Sequence, residues 1–138
     1  MYSRSYSAVR MKAKVLRMDI LLVDDSRTMR MIVQRAIRQA GYRSLIVGEA
    51  ENGRKALEQL ETVKPKLIIS DWNMPEMSGI DLLVQVRTMN TIPFGFITSE
   101  ASKGIRDLAM SSGASFLITK PFSPEDIQDA LSPIFGNG

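Results

Sequence analysis

Five short runs of apolar residues recur along the chain, and each has the length of a strand buried on both faces of a sheet. The runs cover residues 19–23, 45–50, 67–70, 93–98 and 116–119. Gly95 interrupts the fourth run and weakens it as a strand, because glycine offers no side chain for packing. The pattern predicts five strands.

Segments with a helical repeat of apolar residues follow these runs. The stripe of the first segment comprises Met29, Ile32, Val33, Ala36, Ile37 and Ala40, and Gly41 predicts its end. The second helical segment begins at Asn52 or Gly53. The apolar face of the fourth comprises Ile105, Leu108 and Ala109. Ser123 followed by Pro124 is a typical helix start, with a capping hydroxyl before a first-turn proline.

Strands that alternate with helices predict a parallel sheet covered by helices on both faces. Right-handed crossovers are the rule for such units. The predicted fold class is therefore α/β, a doubly wound five-stranded parallel sheet with the flavodoxin-like strand order 2-1-3-4-5.

The composition restricts the available chemistry. The chain has 138 residues, the size of one domain, and contains neither cysteine nor histidine. Disulfides, thiolate nucleophiles, histidine-bound zinc and serine–histidine catalysis are therefore excluded. What remains is chemistry by carboxylates, lysine, hydroxyl groups and a metal ion that prefers oxygen ligands.

The positive net charge of +3 is concentrated at the start of the chain. Residues 1–17 hold five basic residues and no acid, whereas the remainder carries a net charge of −2. A basic leader can bind nucleic acid or anionic lipid, but the mixture with Ser and Tyr favours a frayed terminus. We expect a disordered basic extension at 1–17, one domain at 18–138, and no nucleic-acid partner.

No apolar stretch has the length of a membrane span, and the leader lacks the apolar core of a secretory signal. The expected location is the cytoplasm. Only three residues follow the last predicted helix, so we also expect no further domain attached after it.

Polar side chains follow four of the predicted strands at the point where each ends. Asp24 and Asp25 follow the first strand, Asp71 the third and Lys120 the fifth, while Thr98 ends the fourth. These strands are neighbours in the predicted order, and ligands bind at the carboxyl edge of such sheets. The residues are therefore expected to converge on one site.

Three close carboxylates repel one another unless their pKa values rise or a cation lies nearby. Lys120 supplies one charge, and oxygen-only ligands favour Mg²⁺, with Mn²⁺ as the alternative. Such a site suits a phosphoryl group, because cations offset the charge on its oxygens while a carboxylate attacks phosphorus. Taken singly, each residue also fits a turn, a helix cap or a solvated loop, and only their joint occurrence at neighbouring strand ends indicates a site.

Four stretches of the chain resemble the receiver domain of bacterial response regulators. They are VDDSRTMR at 23–30, SDWNMPEMSGIDLL at 70–83, ITSEAS at 97–102 and ITKPF at 118–122. The resemblance spans about residues 18–135 and is strongest to CheY-like single-domain chemotaxis regulators.

The resemblance implies that Asp71 is the phosphorylated residue. Asp25 and Asp71 would bind Mg²⁺ directly together with the backbone carbonyl of Asn73, and Asp24 would bind it through water. The activity implied is self-phosphorylation and dephosphorylation in signalling, without turnover of an external substrate.

The resemblance also implies roles for the other side chains. Lys120 would pair with the phosphoryl oxygens, and the Lys120-Pro121 peptide bond, which orients that lysine, is expected to be cis. Thr98 would donate a hydrogen bond to the phosphoryl group and thereby shift the surface formed by the fourth helix, fifth strand and fifth helix.

The partners implied are a sensor histidine kinase of the CheA-like type and a protein target on that surface, such as the flagellar motor switch. Asn73 and Glu100 match positions that tune phosphoryl lifetime, and this pair predicts a short-lived group. One departure concerns the family's switch aromatic, because its position holds Leu117, and Phe116 one place earlier should face the opposite side of the sheet.

Other functions remain open. A phosphate sink or a phosphorelay shuttle outside chemotaxis would use the same residues. A Mg²⁺-dependent phosphohydrolase is disfavoured because Asp24 and Asp25 are adjacent, whereas the haloacid-dehalogenase pattern separates its two aspartates by one residue. A binding module without phosphate chemistry is disfavoured by the intact acidic set.

Overall fold

The computed structural model describes residues 17–138. The predicted basic extension lies outside the described residues, apart from Arg17, and so stays a prediction. The described part consists of five strands that alternate with five helices, as the sequence pattern predicts.

The strands are β1 (Ile20–Val23), β2 (Val47–Ala50), β3 (Leu67–Asp71), β4 (Phe94–Thr98) and β5 (Phe116–Thr119). The helices are α1 (Arg27–Gln39), α2 (Gly53–Leu60), α3 (Gly79–Met89), α4 (Lys103–Ser111) and α5 (Pro124–Phe135). No helix of residues 17–138 has the length and hydropathy to cross a bilayer.

All four strand pairings are parallel, and the strand order is β2-β1-β3-β4-β5. The predicted fold class and order are confirmed. The carboxyl ends of all strands therefore lie at one edge of the sheet, and the loops to the following helices start there.

Side chains alternate between the two faces along each strand, and each face carries its own apolar cluster. Leu21 and Val23 belong to the cluster covered by α2, α3 and α4. Ile20 and Leu22 belong to the cluster covered by α1 and α5. Burial on both sides explains why the sequence of each strand is a nearly continuous run of apolar residues.

Each helix begins with a polar side chain that accepts a hydrogen bond from a backbone N–H of the first turn. The capping residues are Ser26, Asn52, Ser78, Ser102 and Ser123. Ser123 and Asp126 complete a reciprocal capping box, which confirms the predicted helix start before Pro124.

Two residues assigned to apolar helix faces are instead exposed. Ile32 is 47% exposed, because it lies one residue, or about 100°, away from the buried Val33 on α1. Leu108 is also 47% exposed, since Ile105 and Ala109, four residues apart, form the side of α4 that faces the sheet. The sequence assignment of these two side chains is wrong.

Gly95 has a definite packing role in β4. It pairs in register with Phe116 of β5, and a Cβ atom at Gly95 would lie 2.1 Å from the Phe116 ring. The ring thus covers the strand where glycine leaves space, which compensates for the weak strand propensity of this position.

Candidate functional site

The carboxyl edge of the sheet brings the predicted site residues together. Asp24 and Asp25 follow β1, whose Val23 pairs with Ser70 immediately before Asp71. Thr98 ends β4 and pairs with Thr119, the residue before Lys120. Parallel register therefore places all five side chains along the same edge of the sheet.

An acidic cluster forms the centre of this edge, and we define it as Asp24, Asp25 and Asp71. One carboxylate oxygen from each lies within 4.8 Å of the others. Asp24 is buried, Asp71 is partly buried and Asp25 is exposed. The cluster is thus open to solvent on the side of Asp25.

Asp24 is fixed in place by several contacts. Its Oδ1 accepts a hydrogen bond from the backbone N–H of Ser26 at 2.9 Å, and its backbone carbonyl accepts one from Arg30 Nη1 at 2.6 Å. Burial raises the pKa of Asp24, and the negative charges of Asp71 and Asp25 raise it further, while the Ser26 bond and Lys120 act in the opposite direction. The raised pKa of Asp24 therefore reflects mainly the burial of its carboxylate, with a smaller contribution from the neighbouring negative charges.

Lys120 provides an ammonium group beside two of these carboxylates. Its Nζ lies 3.5 Å from Asp71 Oδ1 and 3.9 Å from Asp24 Oδ2. The Lys120-Pro121 peptide bond is cis, as the resemblance implies. One ammonium opposite three carboxylates leaves a net negative charge, which favours a further cation.

Asp71 is held by the chain that follows it. Its Oδ1 accepts a hydrogen bond from the backbone N–H of Trp72 at 2.8 Å, and the indole packs edge-on against Phe96. Behind the strand, a Cβ atom added at Gly79 would lie only 2.1 Å from the carbonyl oxygen of Asp71. The start of α3 therefore lies directly against the backbone of Asp71.

Two residues from loops at the carboxyl edge of the sheet bind each other. Asn73 Nδ2 donates a hydrogen bond to Glu100 Oε1 at 3.2 Å, and both residues are exposed. Thr98 is buried, and its hydroxyl oxygen accepts a hydrogen bond from the backbone N–H of Glu100 at 3.0 Å. The loop after β4 is thus tied both to Thr98 and to the loop after β3.

Phe116 and Leu117 pack on opposite faces of β5. Phe116 contacts the cluster covered by α1 and α5, whereas Leu117 contacts the cluster covered by α2, α3 and α4. The structure confirms that the aromatic ring faces away from the side on which the family's switch aromatic is expected.

A match to a protein-family model identifies the family to which this chain belongs. The profile described as the response regulator receiver domain matches residues 20–132. The chain belongs to the response regulator receiver domain family. This receiver carries its acidic cluster and its lysine within the matched region.

Chemotaxis proteins are among the relatives of this receiver. Chemotaxis protein CheY1 of Helicobacter pylori strain J99 is 40% identical over 123 residues, covering 86% of this chain and 98% of the relative. A chemotaxis protein CheY homolog of Campylobacter jejuni strain 81-176 is 35% identical over 125 residues, covering 88% and 95% respectively. The solved structure of Vibrio cholerae chemotaxis protein CheY4 superposes with a TM-score of 0.75 at 32% identity, covering 86% of this chain and 100% of the other.

One contact of the site was missed by the sequence analysis. Arg30 donates to the backbone of Asp24, although it reads in the sequence as an ordinary charged helix residue. The available signal was its position: Arg30 lies three and seven residues before Val33 and Ile37, which places it on the buried side of α1.

Proposed function

We propose that this receiver accepts a phosphoryl group on Asp71 in a Mg²⁺-dependent reaction and signals through phosphorylation-dependent protein binding in chemotaxis. The observation that carries the proposal is the position of Asp71 at the end of β3, beside two further carboxylates and within 3.5 Å of Lys120. A phosphoryl group at that point would meet compensating positive charge rather than acidic groups alone.

The donor set fits a hard dication. The acidic cluster offers three carboxylates with oxygens within 4.8 Å, without nitrogen or sulfur ligands. Asp25, Asp71 and the backbone carbonyl of Asn73 would bind Mg²⁺ or Mn²⁺ directly, and Asp24 would contribute through water. When bound, the ion supplies positive charge that offsets the negative charge of the phosphoryl oxygens.

Asp71 has the arrangement of a nucleophile whose orientation is set in advance. Oδ1 is engaged by the Trp72 N–H and lies next to Lys120. Within residues 17–138, Oδ2 accepts no hydrogen bond, so it is the oxygen we expect to attack phosphorus. In the transfer, the new Oδ2–P bond forms as the bond between phosphorus and the donor breaks, giving an aspartyl phosphate.

Lys120 and Thr98 would respond to the product. Lys120 Nζ is close enough to Asp71 to pair with the added phosphoryl oxygens. Thr98 Oγ1 now accepts the Glu100 N–H, and its own hydroxyl hydrogen is available for donation to the phosphoryl group. Such a bond would draw the loop before α4 toward the site and bias the surface formed by α4, β5 and α5.

The phosphoryl group is expected to be short-lived. Asn73 and Glu100 lie exposed at the rim of the site and bond to each other, so neither covers Asp71 with an apolar group. Water therefore retains access to the aspartyl phosphate, whose hydrolysis resets the protein. By this proposal the chain catalyses only its own phosphorylation and dephosphorylation.

The proposed partners follow from the relatives. The chemotaxis names of relatives that are 35–40% identical support a CheA-like histidine kinase as the phosphoryl donor and a motor-switch protein as the target. The proposed compartment is the cytoplasm, and residues 1–17 are proposed to be an extension that takes no part in phosphoryl transfer.

Intact-protein mass measured after incubation with acetyl phosphate and Mg²⁺ tests the proposal. Wild type should gain an adduct of about 80 Da, the mass of one phosphoryl group. Asp71→Asn should gain none, and Asp25→Asn should gain it far more slowly. Asp107→Asn is the matched control, because Asp107 is an exposed aspartate of α4 outside the cluster. An adduct on Asp71→Asn at the wild-type rate would refute the proposal.

A further inference from the structure

Arg30 is a charged side chain on the buried side of a helix. Its side chain is 13% exposed, and it shares this side of α1 with Val33 and Ile37, three and seven residues further on. Charged groups are rarely buried in this way unless they bind defined partners. The partners of Arg30 therefore indicate why an arginine occupies this position.

The guanidinium group joins three elements of the fold. Nη1 donates to the backbone carbonyl of Asp24 at 2.6 Å, and Nε donates to Glu49 Oε1 at 2.8 Å. Glu49 lies on β2 and pairs in register with Leu22 of β1. Arg30 thus connects α1 to β2 and to the residue that follows β1.

The contact with Asp24 acts on the peptide unit between Asp24 and Asp25. The carbonyl of Asp24 and the N–H of Asp25 belong to one rigid plane, because the peptide bond does not rotate freely. The other end of Asp24 is held where its N–H donates to the carbonyl of Ala50 at 3.1 Å. Fixing the carbonyl therefore fixes the orientation of the peptide plane from which Asp25 extends.

Asp25 depends on this backbone support more than its neighbours do. It is exposed, and within residues 17–138 its carboxylate forms no hydrogen bond or ion pair, whereas Asp24 and Asp71 are bound by Ser26, Trp72 and Lys120. No side-chain contact within residues 17–138 therefore restrains Asp25, and the backbone sets the direction in which its side chain leaves the chain.

We propose that Arg30 is a positioning residue for the acidic cluster and that Glu49 holds Arg30 in place. By fixing the peptide plane between Asp24 and Asp25, Arg30 keeps the Asp25 carboxylate oriented for a divalent cation shared with Asp71. This inference rests on the proposed function, namely that the cluster binds Mg²⁺. Groups that orient metal ligands in this way typically change metal affinity by about 10- to 100-fold.

The charge of Arg30 requires a charge-matched test. Removing the arginine alone leaves an additional negative charge near the cluster, which attracts a cation and opposes the loss of orientation. The double variant Arg30→Met/Glu49→Gln keeps the net charge of wild type. Arg35→Met/Glu61→Gln is the matched control, because it makes the same two changes at exposed positions.

Mg²⁺ affinity of the full chain is measured from the fluorescence of Trp72 and independently by titration calorimetry. Trp72 is the only tryptophan, and its backbone N–H is bonded to Asp71. We expect Arg30→Met/Glu49→Gln to weaken Mg²⁺ binding by about tenfold, and the control pair by less than about twofold. Equal affinity of wild type and Arg30→Met/Glu49→Gln would overturn the inference.

Arg30→Lys keeps the inference testable if the double variant does not fold. Lysine keeps the charge and the aliphatic chain, but one ammonium replaces a planar fork of donors. We expect it to weaken Mg²⁺ binding by about threefold, with the thermal midpoint of the metal-free protein close to that of wild type. A purely structural role would lower the midpoint and leave the affinity of the folded protein unchanged, which would also overturn the inference.

Measurements on wild type distinguish a failure of the proposed function from a failure of the inference about Arg30. If wild type binds no Mg²⁺, the proposed function fails. If wild type binds Mg²⁺ and takes up phosphate while the Arg30 variants bind with wild-type affinity, only the inference about Arg30 fails.

Discussion

Gly79→Ala should disturb both the stability of the fold and the acceptor site, because the first residue of α3 has no space for a side chain. The new Cβ atom would lie 2.1 Å from the carbonyl oxygen of Asp71 and 2.8 Å from the Phe96 ring. An ordinary carbon–oxygen contact of this kind is about 3.3 Å. The helix start or the end of β3 must therefore move by roughly 1 Å.

The expected loss of stability follows from two opposing effects. Overpacking of this kind costs about 1–3 kcal/mol. The higher helix propensity of alanine offsets at most about 1 kcal/mol of this loss of stability. The free energy of unfolding should therefore fall by about 1–2 kcal/mol in urea denaturation.

The rate of phosphorylation of Asp71 should fall as well. A shift of the Asp71 backbone changes the position of its carboxylate relative to Lys120, now 3.5 Å away. Displacements of about 1 Å in reacting groups can reduce rates by up to about 100-fold, so we expect at least about tenfold slower phosphorylation by acetyl phosphate. The assay is the rate of adduct formation under conditions where the variant remains fully folded.

Gly104→Ala is the matched control for this prediction. Gly104 is the second residue of α4, and a Cβ atom there would have no heavy atom within 4 Å apart from its local chain. This variant should be more stable than wild type by about 0.5–1 kcal/mol and should be phosphorylated at the wild-type rate. If Gly79→Ala were as stable and as reactive as Gly104→Ala, the described packing of α3 against Asp71 would be wrong.

Three further predictions test the electrostatics and packing of the described structure. The raised pKa of Asp24 means that the folded protein binds this proton more tightly than the unfolded chain, so stability decreases as pH rises through the window above the ordinary value of 3.8. Asp24→Asn should therefore gain stability relative to metal-free wild type across this window in pH-dependent urea denaturation, and a constant difference would refute the assignment. Lys120→Met removes the ammonium beside the acidic cluster, so the metal-free variant should melt at a lower temperature than wild type. Mg²⁺ should raise the thermal midpoint of this variant more than that of wild type, and an equal rise would contradict the role of the Lys120 charge. Gly95→Ala should destabilise wild type by about 1–3 kcal/mol but the Phe116→Ala protein by less, and additive losses in a double-mutant cycle would contradict the contact between them.

The fold was predictable because its local signals agree with one another. Strands buried on both faces read as apolar runs, and capping residues such as Asn52 and Ser123 mark where helices begin. The parallel arrangement then determines that residues after each strand meet at one edge. The grouping of Asp24, Asp25 and Asp71 followed from this topology without knowledge of any contact.

The missed details depend on which side of an element a residue faces. Ile32 is apolar but exposed, and Arg30 is charged but largely buried, because α1 is rotated so that Arg30 approaches Asp24 and Glu49. Hydrophobic character alone could not establish this rotation. The packing role of Gly95 likewise depends on Phe116, which lies on the neighbouring strand and 21 positions away in sequence.

The identity of the modified side chain is the central claim, and chemical trapping tests it most directly. After phosphorylation with acetyl phosphate and Mg²⁺, borohydride reduction converts an aspartyl phosphate to homoserine, which peptide mass spectrometry locates. We predict homoserine at residue 71 and no conversion of Asp24 or Asp25. Homoserine at another aspartate, with residue 71 unchanged, would contradict the account.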